Sequence, residues 1–386
     1  WRTAAYVEAA QRRQRRSQPV EPGVGFRLLV LAMASAGSPA SATPRPLVWL
    51  AMALSDGPLP SDVPWQMITD LARAGRLEPA LWRRRRHEIP VGFHARLESQ
   101  ARRVAFAAVI ALREQTAIVG ALDAARVHSV LLKGAVLGHL VYADPTCRST
   151  NDLDLLVSPA DLARAASELT TLGYTETDLF PTRPASRSAY HERLLSREVV
   201  PGRVRQPVEL HTGFAQAFRH RLDMAAMMRR ALPFPEGGRG AYRLDDADQL
   251  IHLAVHLGRE QFLSPLKHLY DVHLWVQRGV PWPATVARAT SHHTRTVLFE
   301  TLRLATAIFG TEVPEAVMAA LNPGPVRGAW LRFCHPATGT RVVRGSLSMR
   351  QAQALAMLPL LDTPLDGLRA SLAYAELRVR DLRGRN

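Results

Sequence analysis

Apolar positions recur along this 386-residue chain with two different periods. Phe93, Leu97, Ala101, Val104, Ala108, Leu112, Val119 and Leu122 return every three or four residues or a multiple, with arginines on the opposite side. That spacing predicts a long amphipathic helix. Upstream, "SDVPWQMITDLARAG" predicts a shorter one, with Ser61 or Asp62 as cap and Gly75 as stop. At Val127 the period changes. "VHSVLL" (Val127–Leu132) reads as a buried strand and "KGAVLGHLVYA" as a turn into a short helix. "DLDLLV" reads as a strand closed by Ser158-Pro159, and Asp161–Leu172 as a helix stopped by Gly173. "SRSAYHERLLSREVV" and "RQPVELHT" form a hairpin pattern around Pro201-Gly202. Beyond Phe214 the pattern is helical again. One helix runs from a cap at Asp245 to Gly258, and one from Ser264-Pro265 to Gly279. Others are expected over Ala287–Phe309, Pro314–Leu321 and Met349–Arg380.

Strand–helix–strand–helix–strand–strand is an α/β unit, set here between helical regions. The expected divisions are 1–45, a disordered or spurious extension; 46–126, helical; 127–213, the α/β core; and 214–386, helical. Residues 1–45 are rich in Arg, Pro, Ser and Ala without a period. "QRRQRR" followed by "FRLLVLAMASAGSPASA" imitates a secretory leader, but the apolar run is short and far from Trp1. The preferred reading makes residues 1–32 an upstream extension and Met33 the start. No run is seen to reach the roughly 18 apolar residues of a spanning helix, so no membrane partner is expected.

Composition changes the picture in two ways. The net charge is +15, which favours acidic partners such as nucleotides or nucleic acid. Aromatics make up only 6%, and no basic stripe interleaved with them suits base stacking. The arginine clusters at 12–16 and 83–86 read equally well as solvated surface. Second, of 49 basic residues only Lys133 and Lys267 are lysine. That bias suggests a GC-rich bacterial genome, and marks the two survivors as places where a compact ammonium is needed. Cys147 and Cys334 make neither a disulfide framework nor a Cys-based zinc site, and a reducing cytoplasm is the expected home.

The candidate chemistry lies in "LLKGAVLGHLVYADPTCRSTNDLDLLV". Asp152 and Asp154 stand two apart on a strand and so share a face. Two readings are open: a turn cap plus an exposed edge-strand carboxylate, or a pair facing a divalent cation. Lys133-Gly134 at a strand end opening a helix suits a phosphate chain. Glu209, mid-strand in "PVELHT", supplies a third carboxylate. Three carboxylates around two metal ions can activate a hydroxyl and stabilise departing pyrophosphate.

Lys-Gly-Ala, Tyr-x-Asp-Pro, an Arg, Asp-x-Asp-Leu-Leu-Val and a later Glu-Leu-His resemble the bacterial nucleotidyltransferase-like family of the polymerase-β superfamily. Residues 131–157 and 208–211 carry the resemblance, which extends loosely over 65–310. It implies a small mixed sheet core with flanking helices and a helical remainder. It also implies transfer of a nucleoside monophosphate from an NTP, ATP being the expected donor, with two Mg²⁺ ions. On this resemblance Asp152, Asp154 and Glu209 are metal ligands and catalytic carboxylates. Lys133 and Gly134 hold the triphosphate, and Arg148 contacts a phosphate or Asp154. Related enzymes carry Ser after that glycine, where this chain has Ala135. The acceptor is unspecified: a small molecule, peptide or protein ahead of tRNA. A silent nucleotide- or partner-binding module and a toxin-like tRNA-modifying enzyme are the alternatives.

Smaller signals stay open. His252 and His256 are four apart on one helix, but "HLAVH" lacks the Glu of a zinc-protease motif. His211 shares a face with Glu209 and either orients it, contacts substrate or fills the core. Lys267 and Asp271 are spaced for a surface ion pair, or Lys267 reaches the nucleotide and Asp271 the substrate. Neither a phosphate-binding P-loop nor Gly-x-Ser-x-Gly is present.

Overall fold

The computed structural model describes residues 46–150, 152–177, 192–215, 219–262, 264–334 and 357–383. The extension expected at 1–45 and the expected helix start at Met349 lie outside the described residues. Helices α1 (Pro46–Leu54), α2 (Trp65–Gly75), α3 (Glu78–Arg85) and α4 (His94–Ala124) come first. The cap of α2 differs from expectation. Pro64 occupies the N-cap position without a side-chain bond, and Arg76, not Gly75, takes the left-handed stop at φ 57°. There its N–H reaches the carbonyls of Ala72 and Arg73.

Next come β1 (Ser129–Leu131), α5 (Gly134–Leu140), β2 (Leu153–Val157), α6 (Leu162–Thr171), β3 (Thr175–Thr177), β4 (Glu192–Val200) and β5 (Val204–His211). Then follow α7 (Met224–Arg229), β6 (Leu232–Pro233), β7 (Tyr242–Arg243), α8 (Asp246–Arg259) and α9 (Lys267–Arg278). Last are α10 (Trp282–Ser291), α11 (Arg295–Phe309), α12 (Glu315–Leu321), α13 (Pro325–Cys334) and α14 (Pro364–Arg383). The expected Ala287–Phe309 helix is two, broken at residues 292–294, where His293 has φ 54°.

The strands make one mixed sheet in the order β3-β4-β5-β2-β1-β7-β6. β1 runs antiparallel to β2, and β2 parallel to β5. The hairpin β4–β5 turns at Pro201-Gly202 as expected, with Gly202 at φ 66°. Strands β6 and β7 lie in a stretch read as helical. They are two residues each, too short to leave a period.

Alternation along β2 sorts the two faces. Leu153, Leu155 and Val157 pack with Val208 and Leu210 of β5 under Ile118, Val119 and Leu122 of α4 and Ala165 and Leu169 of α6. Leu156, Val130 and Leu132 belong to a second core with α1, α2, α8, α9 and α11. Asp154 shares the face of Leu156 and Glu209 shares its level, so both look toward the side of the later helices. One expectation fails here: Val91–Ala124 is long and apolar enough to cross a membrane by length and composition. The apolar stretch is interrupted by Arg113 and Glu114, which hid it from a search for unbroken runs. Glu114 is buried, accepting from Tyr174 Oη at 2.7 Å and pairing with Arg197.

Candidate active site

Parallel pairing of β2 with β5 sets Asp154 directly beside Glu209 and Leu156 beside His211. β2 lies inside the sheet, and Asp154 is 2% exposed, which rules out the edge-strand reading. Lys133 Nζ lies 2.8 Å from Asp154 Oδ1, and His211 Nε2 lies 2.9 Å from the same oxygen. His211 Nε2 is also 3.3 Å from Glu209 Oε2. Donor atoms of Asp154, Glu209 and His211 all fall within 4.8 Å of one another. Among the described residues, this is the cluster that could hold a metal ion.

The charges do not balance quietly. Burial pushes Asp154 up, but Lys133 and His211 outweigh it and hold its carboxyl well below the usual carboxylate range. Burial would lower His211, yet the Asp154 and Glu209 carboxylates push it up to about 9. Asp152 is pushed up to about 7 by burial and then by the charges of Asp154 and Glu209. Asp154, Glu209 and His211 form the close group, while Asp152 is half-buried beside it and is driven toward its neutral form.

The turn that positions Lys133 is strained. Its φ is 42° and ψ −112°, a conformation that residues with a Cβ rarely adopt. Gly134 follows for a steric reason. A Cβ there would stand 2.6 Å from Arg148 Nη1 and 2.7 Å from Thr150 Cγ2. The loop leading to Asp152 therefore packs directly on the Lys133-Gly134 turn. Ala135 is buried in the core under α4 and α6.

Arg148 takes a partner other than Asp154. Its Nε and Nη2 donate to Asp271 at 2.9 and 2.7 Å, and Nη1 donates to Thr150 at 3.2 Å. Tyr142 Oη donates to Asp271 at 2.9 Å. Lys267 does not form a surface pair with Asp271. It is buried and donates to the Ser149 carbonyl at 2.6 Å. Burial, then the Arg148 charge, lowers Lys267 to about 7. So α9 grips Arg148 and Ser149, just before the Asp152–Asp154 segment.

Among the histidines, His252 packs edge-on against Phe214 at 4.1 Å, and His256 against His268 at 5.0 Å. Burial, then Lys133, keeps both imidazoles well below the usual histidine range. Sequence reading missed Glu192 and Arg259. Glu192 pairs in register with His211, its Oε2 3.7 Å from His211 Nδ1 and 3.5 Å from Arg259 Nη1. "HERLL" in the hairpin pattern was the available signal, because hairpin pairing from Pro201-Gly202 brings Glu192 opposite His211.

Among curated proteins, none matches the chain. Residues 61–310 match a family described as uncharacterised nucleotidyltransferase, and that span runs from before α2 through α11. It covers more than half of the sequence and contains every carboxylate of the cluster, so the chain belongs to this nucleotidyltransferase family.

Proposed function

We propose that the chain moves a nucleoside monophosphate from an NTP, with ATP the expected donor, to a hydroxyl or phosphate acceptor in the cytoplasm, releasing pyrophosphate. The observation that carries this reading is the level pairing of Asp154 with Glu209 on adjacent parallel strands, with Asp152 close enough to be titrated by both. Carboxylate oxygens are the donors that Mg²⁺ prefers, and the repulsion that Asp154 and Glu209 exert on Asp152 is what a cation relieves. Asp152, Asp154 and Glu209 fit that role and would hold the ions. Two bound Mg²⁺ ions would supply charge neutralisation at the α-phosphate and the departing pyrophosphate, and a more acidic acceptor hydroxyl.

The chain's own groups do the rest. Lys133, held over Asp154 by a strained turn, presents its ammonium to the triphosphate. His211 donates toward Asp154 and keeps it level with Glu209. The acceptor oxygen attacks the α-phosphorus in line, and the bond to the β-phosphate oxygen breaks. Glu209, less buried than Asp154, takes the acceptor's proton. The acceptor is a small molecule, peptide or protein in the first reading. A net charge of +15 favours a second reading in which it is tRNA. The contacts of Lys133 and His211 that already occupy Asp154 favour a third, a silent nucleotide- or partner-binding module.

The test is incubation with Mg²⁺, each α-labelled NTP and fractionated cell extract, following label and pyrophosphate. The proposal expects label on an acceptor, lost in Asp154→Asn. Label on tRNA selects the second reading. Absence of label and pyrophosphate with every fraction contradicts the activity and leaves the silent module.

A further inference from the structure

α14 carries a feature unrelated to the carboxylate cluster. Leu365, Leu368, Leu372, Ala375 and Val379 follow one another at alternating steps of three and four residues. These are the a and d positions of a heptad. All five point outward. Leu365 is 74% exposed, Leu368 57%, Leu372 62% and Val379 46%, and Ala375 is exposed as well. Single exposed apolar residues are ordinary, but a continuous seam along one helix is not.

The opposite side of α14 is anchored to the body at its first turn. Asp366 is buried, accepts from Thr363 Oγ1 at 2.6 Å and lies 2.9 Å from His293 Nδ1. Ala370, Ala373 and Tyr374 on the same side are half-buried. The first turn is therefore fixed with Leu365 and Leu368 outward, and the half-buried side continues as far as Tyr374. A narrow stripe with a 3.5-residue period suits another helix, whereas a membrane surface selects a broader apolar face.

The flanking charges choose the occupant. Arg369 and Glu376 are exposed, stand seven residues apart, and hold the same heptad position beside the seam. In an antiparallel pair, identical flanking positions of the two helices face one another. When Leu372 meets Ala375 of a second copy and Leu368 meets its Val379, Arg369 comes opposite Glu376 of that copy. Two-fold symmetry supplies the same attraction twice. A shift by one heptad either way puts Arg369 against Arg369 or Glu376 against Glu376. Within its own helix Glu376 pairs with Arg380, both well exposed, a contact that is cheap to exchange.

We propose that α14 is a self-association surface on which two copies of the chain pair antiparallel. Sedimentation velocity of the full chain over a roughly hundred-fold concentration range tests it. The expected result is a monomer–dimer equilibrium that Leu372→Glu abolishes. Arg369→Glu weakens it roughly tenfold, because two attractions become two repulsions. Arg369→Glu with Glu376→Arg restores it. Restoration cannot come from misfolding, since both positions are exposed. A monomer at every concentration overturns the proposal, as does a dimer that Arg369→Glu leaves unchanged or that the double reversal fails to rescue. Binding to anionic vesicles by a chain that stays monomeric in solution overturns it in favour of a membrane role. No outcome depends on nucleotidyl transfer.

Discussion

Two buried charge clusters lie within a few residues of each other and behave differently. Arg148–Asp271 is closed. One guanidinium meets one carboxylate through two bonds, and Tyr142 and Thr150 take up remaining bonding capacity. The Asp152–Asp154–Glu209 cluster is open. Lys133 and His211 both crowd onto one oxygen of Asp154, and Asp152 is pushed toward neutrality. A closed pair is what a fold uses to fix a loop. Crowded carboxylates with strongly shifted pKa values are what a site for cations and phosphates is built from. Under the proposed function, the contrast separates residues that hold the segment in place from residues that would meet substrate.

Breaking the open cluster should cost activity and little stability. Asp152→Asn is expected to lower nucleotidyl transfer at least about 10³-fold, roughly 4 kcal/mol in the barrier. Its Tm should stay close to that of the parent, because burial and the charges of Asp154 and Glu209 already disfavour its ionised form. Paired activity and melting measurements check both halves.

Breaking the closed pair should do the reverse. Asp271→Asn leaves Arg148 buried and half-partnered, and is expected to destabilise by about 3 kcal/mol in denaturant unfolding. Activity per folded molecule should fall far less than in Asp152→Asn. If Asp271→Asn abolishes turnover without touching stability, Asp271 belongs with the open cluster.

These two clusters also show what was readable in the sequence. Asp152 and Asp154 stood out because alternation on a strand puts them on one face, and Glu209 because it interrupts an apolar strand. Arg148–Asp271 was hidden, since the partners are 123 residues apart. Local spacing instead offered Lys267–Asp271 as a surface pair, and spacing alone does not tell a buried helix face from an exposed one. Glu192 was visible as a strand residue, but its place opposite His211 required the hairpin register. The sheet's β7 and β6 strands are too short for any periodicity.

Ligand should close the open cluster. Addition of Mg²⁺ with a non-hydrolysable NTP is expected to stabilise the chain by about 2.7 kcal/mol when the ligand is near a hundred times its Kd. A thermal-shift series checks this, and Glu209→Gln should remove the shift while Asp271→Asn keeps it.

The last effect, the smallest per unit of the variable changed, concerns Lys267. Its pKa in the fold is lowered to about 7 from an ordinary 10.5, first by burial and then by Arg148. Between those values the unfolded chain binds the proton and the folded chain does not, so stability rises with pH across that window. The slope from this group is at most about 1.4 kcal/mol per pH unit. Lys267→Met should flatten the curve of unfolding free energy against pH between 7 and 10.5. A parent curve with no rise there would remove Lys267 from the account.

The central claim is that Asp154 and Glu209 together hold a cation with a nucleotide. Electron paramagnetic resonance of Mn²⁺, used in place of Mg²⁺, measures this without knowledge of the acceptor. The account predicts that the chain binds Mn²⁺, that a non-hydrolysable ATP analogue tightens the binding, and that Asp154→Asn with Glu209→Gln abolishes it. Mn²⁺ and nucleotide binding that persist unchanged in that double variant would contradict it.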